Sequence, residues 1–398
     1  MHLVARRAAE FGVEIAGDVR FNLRKAVARK DKIVAGIHEG IYSALDRRKE
    51  AITFIRGQAK FLNEHEIDTG DQRLSFDQAI IATGARRQIP SIQGLEQIDY
   101  LTNETALLLD SLPDHMVVVG GGYVGIEFAQ MYSRFGTQVT LLGRNAHLAS
   151  GEDPELADLL ADYLREEGIE IHTNAPVLRV RQDGAKTIVT AQVENVERDF
   201  TGDALLLATG RVGNTDTLGL TAAGIATAQR GFVSVDEQLQ TRQPNIWAIG
   251  DVKGGWMFTH VATYDGPIAA LNAIKGQGRS VDYRVVPRAV FSSPTLAAVG
   301  MTANEAQVQG YDIKVGEASA KGGRSQAIGD MRGKLKAVVN RVNDEILGFH
   351  ILAPHGDDLL HEAVTAMHGS GTIDRITKSI HVHPTLSELV KSAARAAR

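Results

Sequence analysis

The spacing of hydrophobic residues predicts a long helix near the start of the chain. Between Glu14 and about Lys49, apolar residues such as Ile33, Ile37 and Ile41 recur at helical spacing among charged residues. Apolar positions three or four residues apart share one face of an α-helix, because the helix completes a turn every 3.6 residues. We therefore interpret this stretch as an amphipathic helix.

Shorter apolar runs after this helix predict the strands of a sheet. Ala51–Ile55, His65–Asp68 and Ala79–Gly84 are short segments with apolar residues, and glycines separate them. Segments of this kind between glycines are typical of strands joined by turns. Residues 91–112 have mixed polarity and end at the Leu112-Pro113 break, where we place a domain boundary.

The clearest predicted unit follows this boundary. Met116–Val119 is a continuous apolar run of the kind found in buried strands, and the glycine-rich turn Gly120–Gly125 comes directly after it. Ile126–Phe135 has a helical pattern, and Gly136–Leu142 supplies a second apolar strand. This order predicts a βαβ unit with parallel strands.

Two predicted strands end in the same tripeptide, which indicates a weak internal repeat. Ala82-Thr83-Gly84 closes a strand in the first part of the chain, and Ala208-Thr209-Gly210 closes another. The recurrence predicts two similar open sheets in series, and hence sites for two ligands.

The last third of the chain predicts a different architecture. From Asp282 onward, alternating segments indicate an antiparallel sheet accompanied by helices. The predicted strands include Ala289–Phe291, Ile313–Val315, Lys334–Val339 and Ile346–Leu352, and the predicted helices lie near residues 302–309, 356–370 and 384–397. We interpret this region as a third domain.

Composition narrows the class of protein. Of the 398 residues, 43% are hydrophobic and 23% are charged, as in ordinary globular domains. The net charge of −5, with no block of like charge, argues against a nucleic-acid or anionic-membrane surface. The sequence contains no cysteine, which excludes disulfides, thiolate nucleophiles and cysteine-ligated zinc within it. Neither a signal peptide nor a membrane span is predicted, so we expect a cytoplasmic protein.

The glycine spacing in the βαβ unit predicts a dinucleotide site. Gly120 permits the tight turn, Gly122 lets a pyrophosphate approach the backbone, and Gly125 allows the helix to pack closely on the strand. The helix N-terminus that follows attracts the anion. The alternative interpretation is a glycine turn with a purely structural role.

The end of the second strand predicts which dinucleotide binds. An acidic residue there would bind the ribose 2′-hydroxyl of NAD, but this sequence has Gly143-Arg144. Arg144 can instead make charge-assisted hydrogen bonds to a 2′-phosphate, so NADPH is favoured over NADH. The alternative is that Arg144 is an ordinary solvated arginine at a strand end.

Two further pairs of residues each have a functional and a structural interpretation. Gly250-Asp251 ends a short apolar strand, where a carboxylate can accept hydrogen bonds from a cofactor's hydroxyl groups or can serve only as a helix N-cap. His383 precedes Pro384, where we expect a helix to begin, and Glu388 lies within reach to orient the imidazole. For a histidine near a glutamate, a structural role is the commoner one.

No metal site is predicted. His355, His361 and His368 recur along one predicted helix beside acidic residues, but they do not give the i, i+4 histidine pair of a zinc helix.

Taken together, the motifs resemble those of the flavoprotein pyridine nucleotide-disulfide oxidoreductases, of the dihydrolipoamide dehydrogenase and mercuric reductase type. The resemblance spans essentially the whole chain. The motifs that carry it are Ala82–Gly84, Leu101–Ala106, Gly120–Glu127, Ala208–Arg211, Asn245–Asp251 and His383–Glu388.

The resemblance implies roles for individual residues. Asp251 would contact the ribityl chain of FAD, and Tyr123 would lie over the flavin where the nicotinamide enters. His383 and Glu388 would form an acid/base pair that reaches the flavin site of the other subunit of a homodimer. The remaining cofactor-binding residues of the matched motifs would be Thr83, Gly84, Glu127, Gly210 and Gly250.

The sequence also departs from the family pattern. Residues 1–81 contain no Gly-x-Gly for the FAD pyrophosphate, and the Cys-x4-Cys redox helix with its nearby lysine is missing. We therefore expect a chain truncated at its start, in which Glu127 lacks its lysine partner. Mercury detoxification by paired thiols does not carry over.

These observations predict an α/β fold with two doubly wound dinucleotide-binding domains, the first truncated, and a C-terminal α+β dimerisation domain. The expected boundaries are 1–112 and 236–281 for the two parts of the FAD-binding domain, 113–235 for the NAD(P)-binding domain and 282–398 for the interface domain. The predicted function is an FAD-dependent oxidoreductase that passes hydride from NADPH to flavin and then to a small-molecule acceptor. The alternative is a non-catalytic, NADP-binding, dimerising remnant.

Overall fold

The computed structural model describes Ala5, residues 7–369 and residues 371–398. Outside the described residues are Met1–Val4, Arg6 and Ser370. Ser370 belongs to the helix predicted over 356–370. The chain divides into two compact units. The larger unit comprises residues 89–209 and 284–398 with the described residues up to Val27, and the smaller unit comprises residues 28–88 and 210–283.

The first helix is shorter than its apolar pattern predicts. Helix α1 spans Leu23–Asp46, inside the 14–49 stretch, and none of its residues is buried. Ile37 and Ile41 on its apolar side are 58% and 55% exposed. The described part of the chain therefore leaves the predicted apolar face of α1 uncovered.

The strands before residue 90 are short. They are β1 Lys60–Phe61, β2 Glu66–Asp68, β3 Arg73–Ser75, β4 Ala79–Ile81 and β5 Ala85–Arg87. The strand predicted over Ala51–Ile55 is not formed, and that prediction is wrong. Ile52 and Phe54 are 40% and 54% exposed there, so no neighbouring strand or core stabilises an extended conformation.

The larger unit contains the predicted βαβ unit. Its elements are β6 His115–Val119, α2 Tyr123–Phe135, β7 Gln138–Leu142, α3 Pro154–Glu166, β8 Glu170–His172, β9 Val177–Asp183, β10 Lys186–Val193, β11 Val196–Gly202 and β12 Ala204–Leu207. Strands β12, β6, β7 and β8 form a four-stranded parallel sheet in that order. Strands β9 to β11, which come between β8 and β12 in the sequence, form a separate antiparallel sheet.

The next part of the chain completes the smaller unit. Its elements are β13 Arg211–Gly213, β14 Ile246–Ala248 and α4 Thr259–Lys275. Strand β14 pairs in parallel with β4, and β13 pairs in antiparallel fashion with β5. The parallel pair followed by a helix is the part of a doubly wound sheet that the described residues of this unit contain.

The C-terminal region forms the predicted antiparallel sheet. Its elements are β15 Arg288–Val290, β16 Thr295–Gly300, α5 Ala303–Val308, β17 Ile313–Ser319, α6 Gly323–Ala327, β18 Lys334–Asn340, β19 Ile346–Ala353, α7 Gly356–His368, α8 Asp374–Thr377 and α9 Ser387–Ala396. The strand order is β15-β16-β19-β18-β17. The fold class is therefore confirmed, and the last helix begins at Ser387 rather than at Pro384.

Helix α9 packs against this sheet at a glycine, which gives a test of the packing. A Cβ added to Gly316 on β17 would lie 2.3 Å from the Ala393 carbonyl oxygen and 2.2 Å from the Ala397 nitrogen. We expect Gly316→Ala to lower the free energy of unfolding by about 1–3 kcal/mol, as overpacking does. Gly323→Ala, where an added Cβ meets nothing within 4 Å, is the matched control. Chemical unfolding of both variants checks this, and equal stability of the two would contradict it.

Candidate dinucleotide and flavin sites

The glycine turn after β6 is fixed by close backbone contacts. Gly120 has a φ of +124°, and a Cβ at this position would lie 2.2 Å from the Ala208 carbonyl oxygen. A Cβ at Gly125 would lie 1.8 Å from the Gly120 carbonyl oxygen. Both positions therefore require glycine. A Cβ at Gly122 would meet nothing within 4 Å, so this part of the turn is open to a ligand.

Helix α2 starts directly at this open position. Its N-cap is Gly122, and no side chain caps the first turn. The first backbone N–H groups of a helix lack carbonyl partners within the helix, and the helix dipole favours an anion beside them. The turn and helix therefore offer donors and space for a phosphate or pyrophosphate.

Gly143 and Arg144 lie at the end of the neighbouring strand β7. Gly143 is buried, and its backbone N–H donates to the His172 carbonyl oxygen at 2.8 Å. Its Cβ position is 3.7 Å from the Cα of Gly121, which places this strand end against the glycine turn. Arg144 is exposed and makes no side-chain hydrogen bond or ion pair with any described residue. Its guanidinium is therefore available to a ligand bound at the turn.

Tyr123 and Glu127 on α2 contact residues far along the chain. The Tyr123 hydroxyl donates to the Glu152 carboxylate, and the Phe291 N–H donates to Glu127 Oε1 at 2.9 Å. Burial raises the pKa of Glu127, and burial beside the Glu152 carboxylate raises the pKa of Tyr123. Both side chains are thus held within the larger unit.

Gly250 and Asp251 follow β14 in the smaller unit. The Gly250 N–H donates to Asp265 Oδ2 at 3.0 Å, and Asp265 is fully buried. The Tyr283 hydroxyl donates to Asp265 Oδ1 at 2.5 Å, while Lys253 Nζ lies 3.5 Å from Oδ2. Asp251 Oδ2 is 3.5 Å from Arg211 Nε. The Gly-Asp turn is therefore fixed by a buried carboxylate that the sequence analysis missed.

The two Ala-Thr-Gly motifs lead into paired strands. The Thr83 hydroxyl donates to the Asn214 carbonyl oxygen at 2.9 Å, and the Asn214 N–H donates to the Gly84 carbonyl oxygen at 3.0 Å. The Gln88 N–H donates to the Gly210 carbonyl oxygen at 2.8 Å. Thr83, Gly84 and Gly210 therefore lie at the two ends of the β5–β13 pair.

His383 and Glu388 are in direct contact. His383 Nδ1 lies 3.0 Å from Glu388 Oε1, and the imidazole is 78% exposed. A second pair of a histidine and a carboxylate, which the sequence analysis did not identify, involves His381. His381 Nε2 lies 2.6 Å from Glu362 Oε1, and the His381 side chain is only 7% exposed. No hydrogen bond or ion pair between described residues joins His383 to the glycine turn.

The predicted site residues thus fall into separate groups. The larger unit contains Gly120, Gly122, Tyr123, Gly125, Gly143 and Arg144 at or beside the glycine turn, and Glu127 further along α2. The smaller unit contains Thr83, Gly84, Gly210, Gly250 and Asp251. Among the described residues, no group of three or more histidine, aspartate or glutamate side chains has the arrangement of a metal site. No helix in the described part of the chain has both the length and the apolar character needed to cross a membrane.

Comparison with known proteins gives consistent matches. Residues 4–266 match the family model of pyridine nucleotide-disulphide oxidoreductases, and residues 286–394 match the dimerisation domain of that family. The chain is 35% identical over 344 residues to mercuric reductase of Staphylococcus aureus, covering 86% of this chain but only 62% of that relative. It is 35% identical over 366 residues to dihydrolipoyl dehydrogenase of Geobacillus stearothermophilus, covering 90% of this chain and 76% of the relative.

Solved structures agree with these matches. The flavoprotein disulfide reductase RclA of Escherichia coli superimposes with a TM-score of 0.87 at 32% identity, covering 95% of this chain and 87% of that one. LpdA of Mycobacterium tuberculosis superimposes with a TM-score of 0.88 at 26% identity, covering 99% and 86% of the two chains.

The His383–Glu388 contact predicts a measurable titration. The Thr385 N–H, and after it the His383 imidazole, lowers the pKa of Glu388. A carboxylate with a lowered pKa stabilises the folded state at pH values above the ordinary glutamate pKa. This stabilisation is lost as the pH falls through the lowered pKa of Glu388. We expect His383→Ala to raise the Glu388 pKa while leaving it below its ordinary value, because the Thr385 donor remains. Carboxyl-carbon NMR measures this, with His355→Ala as control; an unchanged Glu388 pKa in His383→Ala would refute the contact.

Proposed function

Because the chain belongs to the pyridine nucleotide-disulphide oxidoreductase family, we propose that it is an FAD-dependent oxidoreductase that draws reducing equivalents from NADPH. The observation that carries the proposal is the glycine turn of the larger unit. Gly120 and Gly125 are closed by backbone contacts, while Gly122 and the uncapped start of α2 remain open. A pyrophosphate fits such a turn.

Arg144 supports NADPH as the preferred reductant. It is exposed beside the glycine turn, and no carboxylate occupies the adjacent strand end, where Gly143 stands. A guanidinium can bind the 2′-phosphate that distinguishes NADPH from NADH. A carboxylate at Gly143 would repel that phosphate and favour NADH.

The smaller unit supports FAD as the second cofactor. Asp251 would accept hydrogen bonds from the ribityl hydroxyls, and Asp265 would keep the Gly250 turn in place for it. When bound, FAD accepts a hydride from the nicotinamide and delivers two electrons onward. The sequence offers no Gly-x-Gly within residues 1–81 for the FAD pyrophosphate.

The missing thiols restrict the electron acceptor. Since the sequence contains no cysteine, electrons do not pass through a dithiol of this chain. We infer an acceptor that reacts with reduced flavin directly, such as a quinone or dioxygen. For a quinone the balance is NADPH, a proton and quinone giving NADP⁺ and quinol.

The C-terminal match supports a homodimer. Residues 286–394 match the family's dimerisation domain, and His383 with Glu388 lies near its end. The exposed imidazole would then serve as an acid/base group at the flavin site of the other subunit. The domain boundaries expected from the sequence, at 112, 235 and 281, remain part of this proposal.

A spectrum and a titration test the proposed function. The full chain, purified and mixed with FAD, is expected to show flavin absorption, which NADPH should bleach in the absence of oxygen. Adding a quinone should then restore it. NADPH binding without any flavin signal would instead support the non-catalytic remnant, and no NADPH binding would contradict both functions.

Arg144 gives a test of nucleotide preference. We expect Arg144→Ala to weaken NADPH binding about tenfold and to leave NADH binding unchanged, because a charge-assisted hydrogen bond contributes roughly 1.5–3 kcal/mol. Gly143→Glu should likewise lower the affinity for NADPH relative to that for NADH. Arg165→Ala, which removes an exposed arginine of α3 paired with Asp162, is the control. Fluorescence titrations with both nucleotides measure the ratio, and an unchanged ratio in Arg144→Ala and Gly143→Glu would refute the assignment.

A further inference from the structure

A buried ion pair holds the first residue of helix α2. Arg288 Nε donates to Glu152 Oε1 at 2.7 Å, and the two side chains are 4% and 3% exposed. The Tyr123 hydroxyl donates to the same carboxylate oxygen. Arg288 is on β15 of the C-terminal sheet, whereas Tyr123 directly follows Gly122. One carboxylate therefore connects the C-terminal sheet with the start of the dinucleotide-binding helix.

The segment that carries Glu152 also contacts the glycine turn. The Ala149 N–H donates to the Gly121 carbonyl oxygen at 2.8 Å, and a Cβ added to Gly121 would lie 2.9 Å from Leu148 Cδ2. At its other end, Asp153 accepts from Lys336 Nζ on β18 at 2.9 Å. Residues 148–153 thus run between the glycine turn and the C-terminal sheet and contact both.

The Glu152 carboxylate depends on Arg288 for its charge partner. Its second oxygen, Oε2, is buried without a hydrogen-bond partner among the described residues. A buried carboxylate is costly unless it is paired, so loss of Arg288 would leave Glu152 uncompensated. The carboxylate would then move, take up a proton or draw in water, and each of these changes the acceptor that Tyr123 contacts.

We propose that Glu152 and Arg288 are positioning residues for dinucleotide binding, which act by fixing Tyr123 and with it the first turn of α2. The inference rests on the proposed function, because it assumes that this turn binds NADPH. The N–H groups that bind an anion belong to the residues at the start of α2, and the side chain of the first of them is anchored by its hydroxyl. Preorganised donors bind more tightly because less motion is lost on binding.

The test compares NADPH affinity across variants of the full chain. Tyr123→Phe removes only the hydroxyl, and Arg288→Gln removes the charge that pairs with Glu152. Both variants are expected to weaken NADPH binding about threefold to tenfold. The dissociation constant is measured from the change in nucleotide fluorescence. If Arg288 acts through Tyr123, the double variant Tyr123→Phe/Arg288→Gln should bind NADPH only as weakly as the weaker-binding single variant. The effects of substitutions within one network do not add.

A matched ion pair at the other end of α2 controls for general destabilisation. Arg332 Nη1 lies 3.0 Å from Glu167 Oε1, and Glu167 also pairs with Arg134 near the end of α2. Arg332→Gln should lower the melting temperature but leave NADPH affinity unchanged.

Three outcomes would overturn the inference. They are unchanged NADPH affinity in Tyr123→Phe, an equal loss of affinity in Arg332→Gln, and fully additive losses in the double variant. Tyr123→Phe keeps the test decisive if Arg288→Gln does not fold. Failure of the unmodified chain to bind NADPH overturns the proposed function together with this inference, whereas binding that Tyr123→Phe leaves unchanged overturns the inference alone.

Discussion

The close approach of backbone to backbone at the end of β6 is the constraint on which the candidate dinucleotide site depends. Gly120 lies so near the Ala208 carbonyl, and Gly125 so near the Gly120 carbonyl, that neither position has room for a side chain. These contacts bring the start of α2 onto the ends of the parallel strands, where ligands of such sheets bind. They also leave the remaining glycine of the motif, Gly122, facing open space. One steric requirement therefore produces the turn, the helix start and the room for a phosphate.

Ion pairs join the segment beside this helix to the C-terminal sheet. Glu152 pairs with Arg288, Asp153 pairs with Lys336, and all of these side chains are at most 10% exposed. Buried ion pairs contribute little net stability, because desolvation of the charges offsets their attraction. Their hydrogen bonds are directional, however, and specify one arrangement of the packed surfaces. The larger unit thus holds the glycine turn in a defined relation to a sheet formed by residues more than 100 positions away.

The sequence could predict the features that depend on local pattern. The Gly120–Gly125 spacing predicted the turn and the helix correctly, because the positions that require glycine lie within six consecutive residues. The strand at Ala51–Ile55 was predicted wrongly, since a strand needs a partner that its own residues do not reveal. Glu152 and Asp265 were missed for a related reason. Their importance comes from Arg288, 136 positions from Glu152, and from Gly250, 15 positions from Asp265, and no local pattern records such contacts.

The missing cysteines change the interpretation of the residues that accompany thiols in related proteins. Glu127 has the Phe291 N–H as its hydrogen-bond partner, and this contact joins α2 to the residue after β15. The carboxylate therefore has a structural role here that requires neither a lysine nor a thiol. His383 likewise keeps Glu388 as its partner in a sequence that contains no cysteine. The turns at Gly120–Gly125 and Gly250-Asp251 are thus supported by buried groups that involve no thiol.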